Sequence, residues 1–146
     1  MTEVQWLLEH SEVTAASPEF VWRYWTDVSH WDDPPARFVL EGPFEAGSRG
    51  TTLIPDREPL VWLLRDVEPG RGYTIASDLG GADLVCEWSF APSPSGGTRL
   101  TQRMGIAGPN AAQHAEGVRR AFEATLAPGM QRIARLVAEA EDQARR

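Results

Sequence analysis

Lysine is absent from these 146 residues, and all 14 basic side chains are arginine. Schiff-base chemistry through a lysine and the lysine of a phosphate-binding P-loop are therefore excluded. Cysteine occurs once, as Cys86, so no intrachain disulfide can form and nothing marks a secreted disulfide scaffold. Asparagine also occurs once, at Asn110. Basic clusters are missing, and a chain of net charge -7 repels phosphate backbones, which argues against nucleic acid as a partner. No run approaches the ~20 apolar residues of a membrane span. The opening Met-Thr-Glu-Val-Gln-Trp has neither a positive segment nor an apolar stretch. No secretory leader is expected, and the expected location is the cytoplasm. Histidines 10, 30 and 114 show no metal-ligand spacing, so neither a metal nor a cofactor is expected.

Tryptophan, by contrast, is plentiful: Trp6, Trp22, Trp25, Trp31, Trp62 and Trp88. Large rings serve as bulk core, and flat rigid surfaces also suit the wall of a cavity that takes rings. The two uses are compatible. The length fits one domain, residues 1–146, which buries roughly 68–70% of its unfolded surface without staples.

Residues 4–14 alternate as a first strand, with Val4, Trp6, Leu8 and Val13 apolar. Ser17 is placed to cap a short helix, Pro18 suits its first position, and the Glu19 carboxylate suits its positive end. That helix runs to about Asp27, and a second turn spans Val28 to Trp31 before Asp32-Asp33-Pro34-Pro35 stops it. Strands then follow at Arg37–Glu41, Gly47–Ile54, Leu60–Val67, Tyr73–Ser77, Leu84–Phe90 and Leu100–Ile106, separated by Gly- and Pro-containing turns. Val67 breaks the alternation of Leu60, Trp62 and Leu64, which a bulge near Arg65-Asp66 explains.

From Asn110 onward the period is helical. Ala115, Val118, Phe122, Leu126, Ile133 and Val137 form an apolar stripe, and Glu116, Arg119, Arg120, Glu123 and Arg135 face away. A continuous helix to the C-terminus would be roughly 55 Å long, with a kink expected at Pro128-Gly129.

This order, with Ser-Pro-Glu-Phe-Val-Trp followed by Thr-Asp-Val-Ser-His-Trp, resembles the START-like or SRPBCC superfamily. The branch it resembles is polyketide cyclase/dehydrase and lipid transport. Further matching pieces are Leu40-Glu41-Gly42-Pro43-Phe44 with Gly47 and Gly50, the Asp66-Val67-Glu68-Pro69-Gly70 turn, and Gly97-Thr98-Arg99-Leu100-Thr101. The resemblance implies an α+β helix-grip fold. That fold has a curved antiparallel sheet of about seven strands, two short helices and one long C-terminal helix. It also implies a cavity between sheet and helix. Members bind lipids, hormones, polyketides or aromatic compounds, and a minority catalyse cyclisation, dehydration or ring chemistry. No catalytic set is shared across the superfamily, so none is assigned.

The alternating faces send Trp62, Tyr73, Ser77, Cys86, Trp88, Gln102 and Met104 inward, and the helix adds Val118, Phe122 and Leu126. These ten are the candidate ligand-binding residues. Tyr73, Ser77 and Gln102 are the informative ones, because an unpaired buried polar group costs about 1–3 kcal/mol. An empty apolar void of about 500 Å³ would cost roughly 12 kcal/mol, comparable to the roughly 5–15 kcal/mol of a whole domain. A cavity here should therefore hold water or a guest. Cys86 lacks the base and orienting acid of a nucleophilic pair and reads as a buried thiol. Asp27, Asp32 and Asp33 lie near the expected mouth, as solvated loop residues or as an acid or base.

Three functions remain open. The first is binding of a hydrophobic or aromatic small molecule, lipid- or polyketide-like, by a monomer or homodimer. The second is catalysis of the cyclase or dehydratase type, and the third is a co-chaperone-like protein-interaction module.

Overall fold

The computed structural model describes residues 3–146; residues 1 and 2, part of the opening segment read for a leader, lie outside the described residues. Strand β1, Gln5–Thr14, leads directly into helix α1, Pro18–Trp25. The Ser17 hydroxyl accepts from the Phe20 amide at 3.2 Å and so caps α1 as its sequence predicts. A 3-10 turn, Val28–Trp31, follows and ends before the two prolines.

Six strands come next: β2 Arg37–Glu41, β3 Arg49–Leu53, β4 Leu60–Glu68, β5 Gly72–Asp78, β6 Asp83–Pro92 and β7 Thr98–Ala107. They pair antiparallel with β1 in one sheet of order β1-β7-β6-β5-β4-β3-β2. The register slips at Arg65, where the broken alternation predicts a bulge, and again between Trp6 and Leu8. The second slip was not legible. It puts Leu7 in the core and leaves Trp6 on the other face, where the Arg103 guanidinium stacks on its indole 3.9 Å from the ring centroid. Val13, expected among the apolar positions, is exposed.

The C-terminal region is two helices, α2 Ala111–Phe122 and α3 Leu126–Ala144. This corrects the expectation of one long rod kinked at Pro128. The chain turns earlier, through residues 123–125, and Pro128 falls in the first turn of α3. First-turn amides have no intrahelical acceptor, so a proline there removes no hydrogen bond. The break also splits the apolar stripe. Val118 on α2 packs with Leu7, Ala82 and Ile106, whereas Met130, Ala134 and Val137 on α3 join the main core with Val21, Trp25 and Leu64.

Buried side chains tie the strand ends to α3 and to the β1–α1 connection. The Thr14 hydroxyl donates to the Ala134 carbonyl at 2.7 Å, and Thr98 donates to the Ala16 carbonyl at 2.8 Å. Glu141 is buried near the end of α3, and one carboxylate oxygen accepts from the Ser17 hydroxyl at 2.9 Å and from the Ser17 amide at 3.2 Å. No helix among the described residues is long and apolar enough to cross a membrane.

Candidate functional site

Antiparallel pairing builds the concave face in rows. Trp62 lies opposite Ser77, and Ser77 opposite Leu84. In the next row Ile75 faces Cys86 and Cys86 faces Met104. Then Tyr73 faces Trp88, and Trp88 faces Gln102. These rows floor a cavity of about 430 Å³ that opens to solvent beneath α3. Phe122, Leu126, Met130 and Ile133 form its roof.

Of the ten candidate residues, nine line this cavity: Trp62, Tyr73, Ser77, Cys86, Trp88, Gln102, Met104, Phe122 and Leu126. Val118 does not; one turn before Phe122 on α2, it is buried against Leu7, Ala82 and Ile106. Sequence reasoning missed Trp25, Trp31, Phe38 and Thr52, which complete the wall. Phe38 and Thr52 sit opposite one another on β2 and β3, and the alternation of those strands carried that signal. Nothing local in the 3-10 turn announces Trp31.

The aromatic side chains hold one another. The Tyr73 ring lies between Trp31 and Trp88, nearly parallel to both, at centroid distances of 5.7 and 6.3 Å. Phe44 meets the same ring edge-on at 5.1 Å. Offset stacks and edge contacts of this kind add about 0.5–1.5 kcal/mol each beyond area burial. The Trp31 indole donates to the Trp25 carbonyl at 2.7 Å, and the Trp62 indole donates to the Thr52 hydroxyl at 3.2 Å. The buried Trp25 indole nitrogen has no hydrogen-bond partner among the described residues. Its N–H lies beside the Tyr73 hydroxyl but outside good hydrogen-bond geometry.

Polar chemistry in the cavity is neutral. Burial pushes the Tyr73 hydroxyl well above the usual tyrosine range, outweighing the Trp25 N–H that favours its ionised form. Burial likewise pushes the Cys86 thiol up to about 12, against a smaller opposite effect of the Gln102 amide. Tyr73 is therefore a hydrogen-bond donor that keeps its proton, and Cys86 is no nucleophile.

Charge is confined to the mouth, where Asp33 and Arg132 are the charged residues lining the cavity. Asp27 and Asp32 are occupied elsewhere. Asp27 accepts from the Ser29 hydroxyl at 2.7 Å and from its amide at 3.1 Å, and the hydroxyl bond chiefly holds its carboxyl below the usual range. Asp32 accepts from the Phe38 amide at 2.8 Å. His30 donates to the Tyr24 carbonyl at 2.7 Å and stacks on that residue's ring. Among the described residues no group of three or more His, Cys, Asp or Glu is placed to hold a metal ion.

Residues 5–138 match the profile of the family described as polyketide cyclase / dehydrase and lipid transport. The chain belongs to that family. Its START-like, helix-grip fold recurs in solved structures at low identity. One is a protein of unknown function from Staphylococcus aureus, with 14% identity and a TM-score of 0.72, covering 97% of this chain and 98% of that one. Another is norcoclaurine synthase from Thalictrum flavum in complex with dopamine and hydroxybenzaldehyde. It shares 16% identity at a TM-score of 0.68, covering 95% of this chain and 88% of that one. A third is the di-domain ARO/CYC StfQ from the steffimycin biosynthetic pathway. It shares 17% identity at a TM-score of 0.69, covering 93% of this chain but 51% of that one. No curated protein matches.

Proposed function

We propose that this family member, acting as a single domain, binds an aromatic, polyketide-like small molecule between its sheet and α3. The observation that carries the reading is the 430 Å³ cavity, walled by the rings of Trp25, Trp31, Trp62, Tyr73 and Trp88. Pockets of this size and apolar lining, with a few convergent polar groups, are the usual form of small-molecule sites. Tyr73, Ser77 and Gln102 supply those polar groups, and a ligand oxygen would satisfy them. The aromatic ligands of the norcoclaurine synthase complex support the same substrate class.

Gly129 provides a clean test. It lines the cavity, and a Cβ added there would meet no atom within 4 Å. Gly129→Leu should narrow the entrance, while replacing a helical glycine tends to raise stability by a few tenths to about 1 kcal/mol. The expected result is quenching of tryptophan fluorescence by 2-naphthol in the parent protein, weakened severalfold in Gly129→Leu at equal or higher thermal stability. Native mass spectrometry checks the same complex directly. Absence of saturable binding to the parent protein would overturn the reading.

A second reading is catalysis of the cyclase or dehydratase type, which the family description and StfQ support. The specific observation in its favour is Tyr73, a buried hydroxyl in the apolar lining of the cavity. A substrate carbonyl held against it would be polarised while the walls fold the reactive chain. Tyr73→Phe should then lower turnover far more than affinity, whereas pure binding predicts the reverse. A protein-interaction role would instead use the outer sheet face, where Val39, Val61 and Leu63 are exposed.

A further inference from the structure

We propose that the ligand is an aromatic carboxylic acid, held at the mouth by Arg132 in place of Asp33. This rests on the cavity-binding reading above and adds the charge of the ligand and the residue that reads it.

Arg132 lies on α3 one turn beyond Gly129 and next to Ile133, on the side of the helix that faces the cavity. Its partner in the structure is Asp33, on the loop before β2, with a nitrogen–oxygen distance of 3.6 Å. That separation is too long for a hydrogen bond. The Asp33 side chain is 68% exposed, so water readily replaces the arginine around it. Contacts between such solvated charges are worth little. The guanidinium meanwhile offers a planar fork of donors that matches a carboxylate bidentately, a stronger and more directional arrangement than the one Asp33 makes. One turn earlier on the same helix, a Cβ added at Gly129 would meet nothing within 4 Å, so the helix surface leading to Arg132 is open.

The rest of the chain disfavours an anion. Net charge is -7, and the cavity floor carries neutral polar groups alone. A carboxylate bound here must therefore be held locally at the mouth, with its ring system directed inward against Trp31, Trp62 and Tyr73. Asp33 then acts as an internal competitor that occupies the arginine until the ligand arrives.

The test compares 2-naphthoate, ionised at neutral pH, with 2-naphthamide, which has the same ring body and no charge. Affinities are measured by tryptophan quenching and calorimetry. The acid should bind about tenfold more tightly than the amide to the parent protein. Arg132→Gln should abolish that preference, bringing acid and amide to equal affinity. Asp33→Asn should tighten the acid severalfold relative to the amide, an outcome opposite to that of a merely structural loop contact. Equal affinity of acid and amide, or acid binding weakened by Asp33→Asn, would overturn the proposal while leaving cavity binding intact. Failure of both compounds to bind the parent protein would overturn the cavity reading and this inference together.

Discussion

Trp62 and Gly50 are direct partners across β4 and β3, and the indole occupies the space that any side chain on Gly50 would need. The glycine is there for close approach, not for an unusual turn. Trp62 is 2% exposed and its indole is anchored by the Thr52 hydroxyl, so moving the ring aside breaks that bond and shifts it towards the cavity.

Gly50→Ala should therefore destabilise the protein by about 1–3 kcal/mol, the range for overpacked sites. It should also displace a wall of the cavity and weaken aromatic probes. Combining it with Trp62→Leu should cost less than the sum of the two single changes, because one removes what the other collides with. Urea denaturation of the four proteins checks this. Additive costs would show that the two residues are independent.

The clamp between Glu141 and Ser17 joins the end of the chain to the start of α1. Replacing Glu141 by Ala strips the half-buried Ser17 amide and hydroxyl of their acceptor at once. Hydrogen bonds to a charged group contribute about 1.5–3 kcal/mol, so a loss of about 2–3 kcal/mol is expected. Glu141→Gln keeps an acceptor oxygen and should recover part of it. Ligand affinity should change little, since neither residue lines the cavity. Thermal denaturation alongside probe binding separates the two effects.

Alkaline pH should expose the buried thiol. Unfolded, Cys86 ionises near 9.0; folded, near 12. Between those values the unfolded state holds fewer protons, so stability is intact below pH 9 and falls as pH rises through the window. The slope approaches about 1.4 kcal/mol per pH unit. Tyr73, also raised by burial, adds to the fall at higher pH. Urea midpoints from pH 8 to about 10.5 should decline in the parent protein. In Cys86→Ala the decline should begin later, because the tyrosine alone remains. A flat parent profile would mean that the thiol is solvated.

Local chemistry made much of the molecule legible. The Ser17 cap, the proline stop after Trp31, the bulge at Arg65 and the alternating faces of β4 to β7 all rest on interactions within a few residues. Alternation has a period of two, so once the strands are placed it assigns the seven strand candidates to the cavity, and the helical stripe adds Phe122 and Leu126. The helix break does not fall at the proline, where the local sequence signal for one lies. Proline is harmless in a first turn, and the turn at residues 123–125 has no comparable local marker.

By itself, then, the sequence determined the strand faces, the Ser17 cap and a chemistry without lysine, because short-range periodicity and composition govern those. Tertiary structure alone decided which residues from distant elements meet. It brought Trp31 against Tyr73, Glu141 to Ser17 and Arg132 to Asp33 across the mouth. Such pairings depend on how far each helix turns and where each strand slips, and those angles are set by packing of the whole rather than by any local run of residues.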